Sequence, residues 1–596
     1  MMGDELLVAD FLVDRLRAWG VPRVFGYSGD GINPFMGALR RAAGDPAFVQ
    51  ARHEENAALM AVGHAKYTGG VGVVTSTQGP GAVHLLNGLY DAKLDHVPVV
   101  ALVGQQQTTV LGSEYQQEID LQVLFSDVAR DFAQTVMSPE QVPVVIDRAF
   151  RTALERRSPC VVVLPHDVQN ATLPDEPAHE HGIVVSAPRW SPAHVVPDDT
   201  QLAAAAEVLR AGERTALLVG QGARHAGDEV RAVAEHLGAG VTTSLLGKPW
   251  WDETLSFSCG VMGHLGTTAS GWLMEHCDTL LIVGSDDPWT EFYPAPGSAR
   301  AVQVDIDGRN LGHRYPVDVG VRGDAAETLR RLLPMLGEHR ASDPWPARVA
   351  EQVTRWHEIR ERRAARPAEP VNPEAVVHRL NRHIPNEALV SVDVGSITYW
   401  YARHLMLPPG VPAHLSSTLA SMGSGLPYGI AAKLDRPDRP VVALVGDGAM
   451  QMNGINELVT LTRLWPEWED PRFVVLVLHN GDLAEVTWEQ RETEGDPRYA
   501  ASQALPAFPY ADYATMLGFE GIRLASADDI DSAWERAFAA DRPVVIEAIV
   551  DRDQPLLPPF PGGREKLESF RRGIGQEGDA GRHARELLDQ QAADEE

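Results

Sequence analysis

Cysteine is scarce in this chain. Its 596 residues hold three, Cys160, Cys259 and Cys277, without metal-type spacing and each within or beside apolar sequence. That argues against a disulfide scaffold or a cysteine-based zinc site and leaves buried, reduced thiols as the expectation. Positive charge is short as well: 52 Lys and Arg stand against 82 Asp and Glu, a net charge of −30. Such a surface repels phosphate backbones and acidic headgroups, so neither nucleic acid nor an anionic membrane is an expected partner. No run approaches the ~18 uninterrupted apolar residues of a membrane span. The opening MMGDELLVADFLVDRLRAWG mixes acids through an amphipathic helical pattern and has neither the basic start nor the apolar core of a signal peptide. The expected location is cytoplasmic. The 44% apolar and 22% charged residues suit large globular cores, and the length suggests about three or four domains.

Short apolar runs that end in polar or Gly-rich turns alternate with helical patterns, the signature of βαβ units and parallel sheets. Residues 1–175 carry VPRVFGYSGD, GGVGVVTSTQGPG, VPVVALVGQ and PCVVVLPHD; residues 199–340 carry TALLVGQGA, TLLIVGSDD and AVQVDID. A third such unit spans 375–552, so the fold class is α/β with three doubly wound parallel-sheet domains. The Pro-, His- and acid-rich stretch 173–197 and the polar stretch 341–374 read as linkers. Residues 553–596 read as a charged tail, a solvated helix with too few large apolar residues to dock on a membrane.

The most informative feature is Gly446-Asp447-Gly448 at the end of VVALV, followed by Asn480 at the end of FVVLVL. Two buried parallel strands deliver a carboxylate and a carboxamide to one carboxyl edge, where open α/β sheets bind ligands. Both are hard oxygen donors of the kind Mg²⁺ accepts while keeping phosphate and water in its shell, and the glycines admit a diphosphate.

This pairing resembles the cofactor motif of the thiamine diphosphate (ThDP)-dependent enzymes. ARHEENAALMAVGHAKYTG is similar to a segment of the pyruvate oxidase and acetolactate synthase group, in which the Glu, here Glu54, faces N1′ of the cofactor's aminopyrimidine. The likeness continues through QGPGAVHLLNGLYDAKLDHVPVVALVGQ and GSEYQQEIDLQVLFSDVA and is greatest to the pyruvate oxidases. It implies active-site roles for His84 and Gln117. In SSTLASMGSGLPYGIAA it implies that Met422 wedges the cofactor into a bent shape and that the Ala420 carbonyl accepts from its 4′-amino group. Asp447, Asn480 and the main-chain oxygen of Asp482 become the Mg²⁺ ligands, and Gly395 and Ser396, with Gly446 and Gly448, approach the diphosphate. The first and third units are then pyrimidine- and diphosphate-binding domains. The middle one resembles an FAD-binding domain, with Gly220, Gly222, Arg224, Gly284, Asp305 and Asp307 as its contacts.

Some positions depart from the family pattern. His479-Asn480 replaces Asn-Asn, and the interval before it is about six residues longer, with WPEWEDPRF as an external loop. Glu485 and Gln116 stand where apolar residues are common, which implies a more polar substrate pocket. Glu489 matches an acid of the oxidases, with a solvated helix charge as its other reading. The activity implied is oxidative decarboxylation of a small, pyruvate-like 2-oxo acid, with electrons passing from the enamine to FAD. The alternatives are an acetolactate synthase-like carboligase with structural FAD and a non-catalytic scaffold. The family pairs the Glu-bearing unit of one subunit with the GDG-bearing unit of another, so a homodimer or homotetramer is expected.

Overall fold

The computed structural model describes residues 6–174, 185–338, 341 and 344–596. Within them the alternating runs form three six-stranded sheets, and every strand pairing is parallel. The first holds β1 (Arg23–Gly26), β2 (Ala47–Gln50), β3 (Gly72–Ser76), β4 (Val99–Gln105), β5 (Ala133–Thr135) and β6 (Pro159–Pro165), in the order 2-1-3-4-6-5. The second holds β7 (Thr215–Val219), β8 (Gly240–Thr243), β9 (Ser258–Val261), β10 (Thr279–Val283), β11 (Arg300–Asp305) and β12 (Val319–Arg322), in the order 12-11-10-7-8-9. The third holds β13 (Leu389–Val392), β14 (Ala413–His414), β15 (Val441–Gly446), β16 (Phe473–His479), β17 (Glu520–Leu524) and β18 (Val544–Ile549), in the order 14-13-15-16-18-17.

Counted from each unit's own first strand, the first and third orders are the same. The middle order becomes 3-2-1-4-5-6, that of dinucleotide-binding folds. Helices cover both faces of these sheets, which is why central strands such as β4 and β6 are buried along their whole length and read as unbroken apolar runs.

The first and third units share a core. Helix Glu54–Thr68 packs against helix Gly425–Asp435, and Ala57, Ala58 and Ala61 join Leu426, Ile430 and Ala431 in one apolar cluster. The approach is close: a Cβ on Gly63 would stand 3.0 Å from Tyr428 Cα. The opening amphipathic pattern forms helix Val8–Ala18. The three cysteines are free and buried. Among the described residues no helix is long and apolar enough to cross a membrane.

Two polar stretches differ from their reading as a linker and as a solvated tail. Part of the first linker, 175–184, lies outside the described residues, and 185–197 has no regular structure. Residues 342 and 343 of the second also lie outside them, but helix Trp345–Ala364 is firmly packed: Trp345, Val349, Val353, Trp356 and Ile359 are buried against the middle unit. The tail likewise folds back as helices Gly562–Gln576 and Arg582–Glu595. Leu567, Phe570 and Ile574, then Ala584, Leu588 and Ala592, recur at helical spacing and enter the third unit's core. The charges around them are paired, Asp594 with Arg362, Arg363 and Arg366, and Arg491 with Glu577.

Candidate active site

Three neighbouring strands of the third sheet end in glycine-bearing turns. β13 leads to Gly395 (φ 131°) and Ser396, which opens helix Ser396–His404; β15 ends at Gly446, before Asp447 and Gly448; β16 leads to Asn480 and Gly481. A Cβ on Gly446 or Gly481 would meet nothing within 4 Å, and one on Gly395 only Glu485 Oε2 at 3.9 Å. Backbone therefore faces open space at these ends, the condition for close approach of a diphosphate. A cavity of about 220 Å³ beside them is lined by Ser396, Asn480 and Ala484 among others.

Asp447 is buried, its Oδ1 accepting from Gly448 N at 3.0 Å and its Oδ2 from Gly481 N at 2.7 Å. Burial, only partly offset by these bonds and by His479, pushes its carboxyl up to about 6. Such a carboxylate is one that a bound cation stabilises. Asn480 Oδ1 accepts from Asp482 N at 2.9 Å. The Asp482 carboxylate is already committed, to Arg498 Nε at 2.8 Å and Thr487 Oγ1 at 2.6 Å, which leaves its main-chain oxygen as the donor it can offer. This all-oxygen set fits Mg²⁺.

Asp393, which the sequence reading passed over, ties this edge together. Its carboxylate accepts from Val394 N at 2.8 Å, Gly423 N at 2.8 Å and Gly425 N at 2.9 Å, and burial pushes it up to about 6 in spite of them. The loop it holds presents Ala420 in a left-handed conformation, φ 56°, costly for a residue with a Cβ. Met422 follows, its Cε 3.1 Å from where a Cβ on Gly448 would be. The loop is also held from the first unit: Asp95 accepts from Ser417 N at 3.0 Å and Thr418 N at 2.9 Å while paired with Lys66 Nζ at 2.7 Å.

In the first unit Glu54 opens its helix at 9% exposure, with Oε2 2.9 Å from His84 Nδ1. A Cβ on Gly81 would stand 3.3 Å from Glu54 Oε1, and one on Gly79 would stand 2.8 Å from Gln117 Cβ. Glu54, His84 and Gln117 thus gather around the Gly79-Pro80-Gly81 turn, with Gln117 Oε1 accepting from Gln78 Nε2 at 3.1 Å.

The two sets meet within one chain, whereas the family pairing implies that they come from two subunits. Glu55, beside Glu54, accepts from Asn87 Nδ2 at 2.7 Å and from Asn453 Nδ2 at 2.9 Å. Asn87 Nδ2 in turn lies 2.6 Å from Ser421 Oγ, next to Met422, and Asn453 belongs to the π-helical turn Met450–Gly454 that follows Asp447. Below them Glu457 accepts from Arg52 N and Asn56 Nδ2, each at 2.9 Å. Glu485 and Glu489 lie on helix Ala484–Thr493, Glu489 exposed one turn beyond Glu485. Burial first, and then Glu489, pushes Glu485 up to about 8.

The middle unit places Gly220, Gly222 and Gly284 together where its strand order reverses, between β7 and β10. A Cβ on Gly220 would stand 2.2 Å from Gly284 O, so these glycines let two turns touch. Arg224 is exposed just beyond them. Asp305 ends β11 and accepts from Asp307 N at 2.8 Å, whereas the Asp307 carboxylate is engaged by Arg309. A glycine edge at a reversal point with a buried acid at a strand end fits a dinucleotide.

Comparison with known proteins agrees unit by unit. Models of thiamine pyrophosphate enzymes match as the N-terminal TPP-binding domain over residues 7–124, the central domain over 202–332 and the C-terminal TPP-binding domain over 393–548. The chain is 34% identical to the thiamine pyrophosphate-containing protein YdaP of Bacillus subtilis, whose own assignment is provisional, across 91% of this chain and 92% of that one. It is 30% identical to a pyruvate oxidase of Lactiplantibacillus plantarum, covering 95% and 91%, and 31% identical to an acetolactate synthase large subunit of Parasynechococcus marenigrum, covering 94% and 90%. With three matched domains and relatives that span nearly its whole length, the chain belongs to the thiamine diphosphate-dependent enzymes of the pyruvate oxidase and acetolactate synthase family.

Proposed function

We propose that the protein uses ThDP and Mg²⁺ to decarboxylate a small, pyruvate-like 2-oxo acid and passes the electrons to FAD. When bound, ThDP supplies a carbon nucleophile for the oxo carbon and a sink for the electron pair that CO₂ leaves behind, and FAD supplies a two-electron acceptor. Asp447, Asn480 and the Asp482 main-chain oxygen hold the metal, and Gly395, Ser396, Gly446 and Gly448 receive the diphosphate. The Ala420 carbonyl and Met422 orient the aminopyrimidine. Glu54 holds a proton at N1′, screened from bulk water by the turn around it. His84 and Gln117 orient the oxo acid, and Glu489, exposed on the helix that follows Asn480, takes part in proton transfer. Gly220, Gly222, Arg224, Gly284, Asp305 and Asp307 receive FAD.

One observation carries this reading: the helix start that bears Glu54 is hydrogen-bonded, through Glu55, to the turn after Asp447, and through Asn87 to the loop that bears Met422. The chain self-associates as a homodimer or homotetramer on this reading; Val83, Tyr115 and Val123 of the first unit and Met452 and Met516 of the third are exposed apolar side chains that association would cover. The test is the purified protein with pyruvate. Co-purifying flavin that bleaches on addition of the acid, with acetate as product, is expected. Protein without flavin absorbance, and without oxo-acid-dependent bleaching of added FAD, overturns the oxidase. A carboligase that keeps FAD as a structural element is the second reading, favoured by acetolactate synthase relatives that match as closely as the oxidase does. Acetolactate as product would establish it.

A further inference from the structure

Lined by none of the residues assigned above to ThDP, Mg²⁺ or FAD, a cavity of about 280 Å³, part of it open to solvent, lies where three elements meet. Ser258 and Gly260 of the edge strand β9 form one wall, Trp356, His357 and Arg360 of helix Trp345–Ala364 a second, and Ala402 and Arg403 of helix Ser396–His404 a third. In a chain of net charge −30 this wall is cationic: Lys248, Arg360 and Arg403 face it, with Glu253 as the acid among them.

The acid is already used. Glu253 is ion-paired with Lys248, whose ammonium also lies 5.5 Å from the centroid of the Tyr401 ring. Arg403, 3% exposed, spends Nε and Nη2 on the carbonyls of Gly266, His264 and Leu557 at 2.9–3.0 Å, and its buried Nη1 has no partner. Arg360 is the stronger case. It is 8% exposed, its Nε is buried without a partner, and among the described residues its guanidinium makes neither a hydrogen bond nor an ion pair. Glu253 and Glu361 act on it from beyond ion-pair distance and offset only part of the cost of burying its charge.

We propose that this cavity is a binding site for a small oxyanion, inorganic phosphate or the carboxylate of a small metabolite, held by Arg360 and Arg403 with Lys248 on the wall. The planar guanidinium fork matches two oxygens of either group. The space is tight and partly open to solvent, and it suits a compact head group better than a nucleotide. Arg403 lies on the helix that begins at Ser396, so the bound anion links the middle unit to the element whose N-terminus faces the proposed diphosphate position. The inference does not depend on which reaction the protein catalyses.

The competing occupant is an ordered water, which a polar cavity of this kind can also hold. The experiment uses the full-length protein saturated with ThDP, Mg²⁺ and FAD, so that added phosphate cannot act through those positions. Thermal unfolding is followed against sodium phosphate, sodium acetate and sodium chloride at matched ionic strength. A saturable rise in midpoint with phosphate or acetate, absent with chloride, is expected, and the more effective of the two identifies the source. Arg360→Met should weaken that response at least about tenfold, the loss of a charge-assisted bond, while Arg360→Lys keeps part of it. If Arg360→Met does not fold, Arg403→Lys carries the same comparison. No saturable response in the parent protein means water only and overturns the proposal, as does an undiminished response in the Arg360 variants.

Discussion

In the first sheet the strands hand over to side chains: after β2 comes Glu54, after β3 the turn that gathers His84 and Gln117 around it. In the third sheet, built in the same strand order, β13, β15 and β16 hand over to bare backbone at Gly395, Gly446 and Gly481, with Asp447 and Asn480 as the oxygen donors between. One scaffold thus presents Glu54, His84 and Gln117 at one edge and open glycine backbone with oxygen donors at the other, the edges proposed to handle protons and to hold metal and diphosphate, and helices Glu54–Thr68 and Gly425–Asp435 pack the two together. A cofactor with a charged tail and a reactive ring needs both edges at once. Two copies of a single topology supply them, with the specialisation confined to the few residues past the strand ends.

The sharpest way to break this division is to neutralise the first unit's acid and leave its shape. Glu54→Gln should lower turnover by about 10²–10⁴-fold, the range for a positioned acid–base group, while ThDP still binds, as followed by quenching of protein fluorescence. Turnover within a factor of two of the parent would sink the assignment. Next in size is the strut between the units. Asp95→Ala leaves Lys66 without its carboxylate partner, with the Leu415 carbonyl remaining, and releases Ser417 N and Thr418 N. A loss on the order of 3 kcal/mol is expected for breaking a buried pair from one side, read as a lower first unfolding midpoint. Faster proteolysis within 416–423 would accompany it, and an unchanged midpoint would show that the loop is held by the third unit alone.

Asp447→Asn should act with opposite signs on two measurements. The folded protein holds this carboxyl near 6, above its ordinary 3.8, so at pH 7–8 its ionised form opposes folding when no cation is bound. Removing the charge should stabilise the metal-free protein by about 1–2 kcal/mol, while the Mg²⁺ concentration needed for ThDP binding rises at least about tenfold. Destabilisation of the metal-free protein together with unchanged Mg²⁺ dependence would remove Asp447 from the metal position.

Much of this was legible in the sequence because it is local. The apolar runs are unbroken since parallel strands are covered on both faces, and the glycines that mark the third edge adjoin the strands they terminate. The segments around Glu54, His84 and Gln117 resemble the family's locally, and the fold brings the three residues around one turn. What the sequence concealed depends on distance along the chain. Asp95 bonds to Ser417 across 322 positions, and Glu55 to Asn453 across 398, and no local pattern encodes such partners. Asp393 had a signal, two residues before Gly395 at a strand end, but an acid there reads as a ligand rather than as a clamp on Gly423 and Gly425. The tail reads as solvated and 341–374 as a linker because charge dominates their composition; burial there depends on apolar residues at helical spacing, Trp345, Trp356, Phe570 and Leu588 among them, and on arginine–carboxylate pairs contributed from afar.

Glu485 is a second acid at the backbone-lined edge, its Oε2 3.9 Å from where a Cβ on Gly395 would be. Burial and Glu489 push its carboxyl up to about 8, so near neutrality it is a protonated donor, unlike the oxygen donors Asp447 and Asn480. The sign of its effect on stability follows. Between its ordinary 4.5 and about 8 the folded protein keeps a proton that the unfolded chain has lost. Stability therefore declines as pH rises through that window and levels off above it. Glu485→Gln cannot ionise and should be more stable than the parent by about 1–2 kcal/mol at pH 8, with little difference at pH 5. Unfolding midpoints of the two proteins at those pH values measure this directly. An equal difference at both would mean that Glu485 is ionised throughout, paired with a cation, and that the edge is more cationic than its glycines suggest.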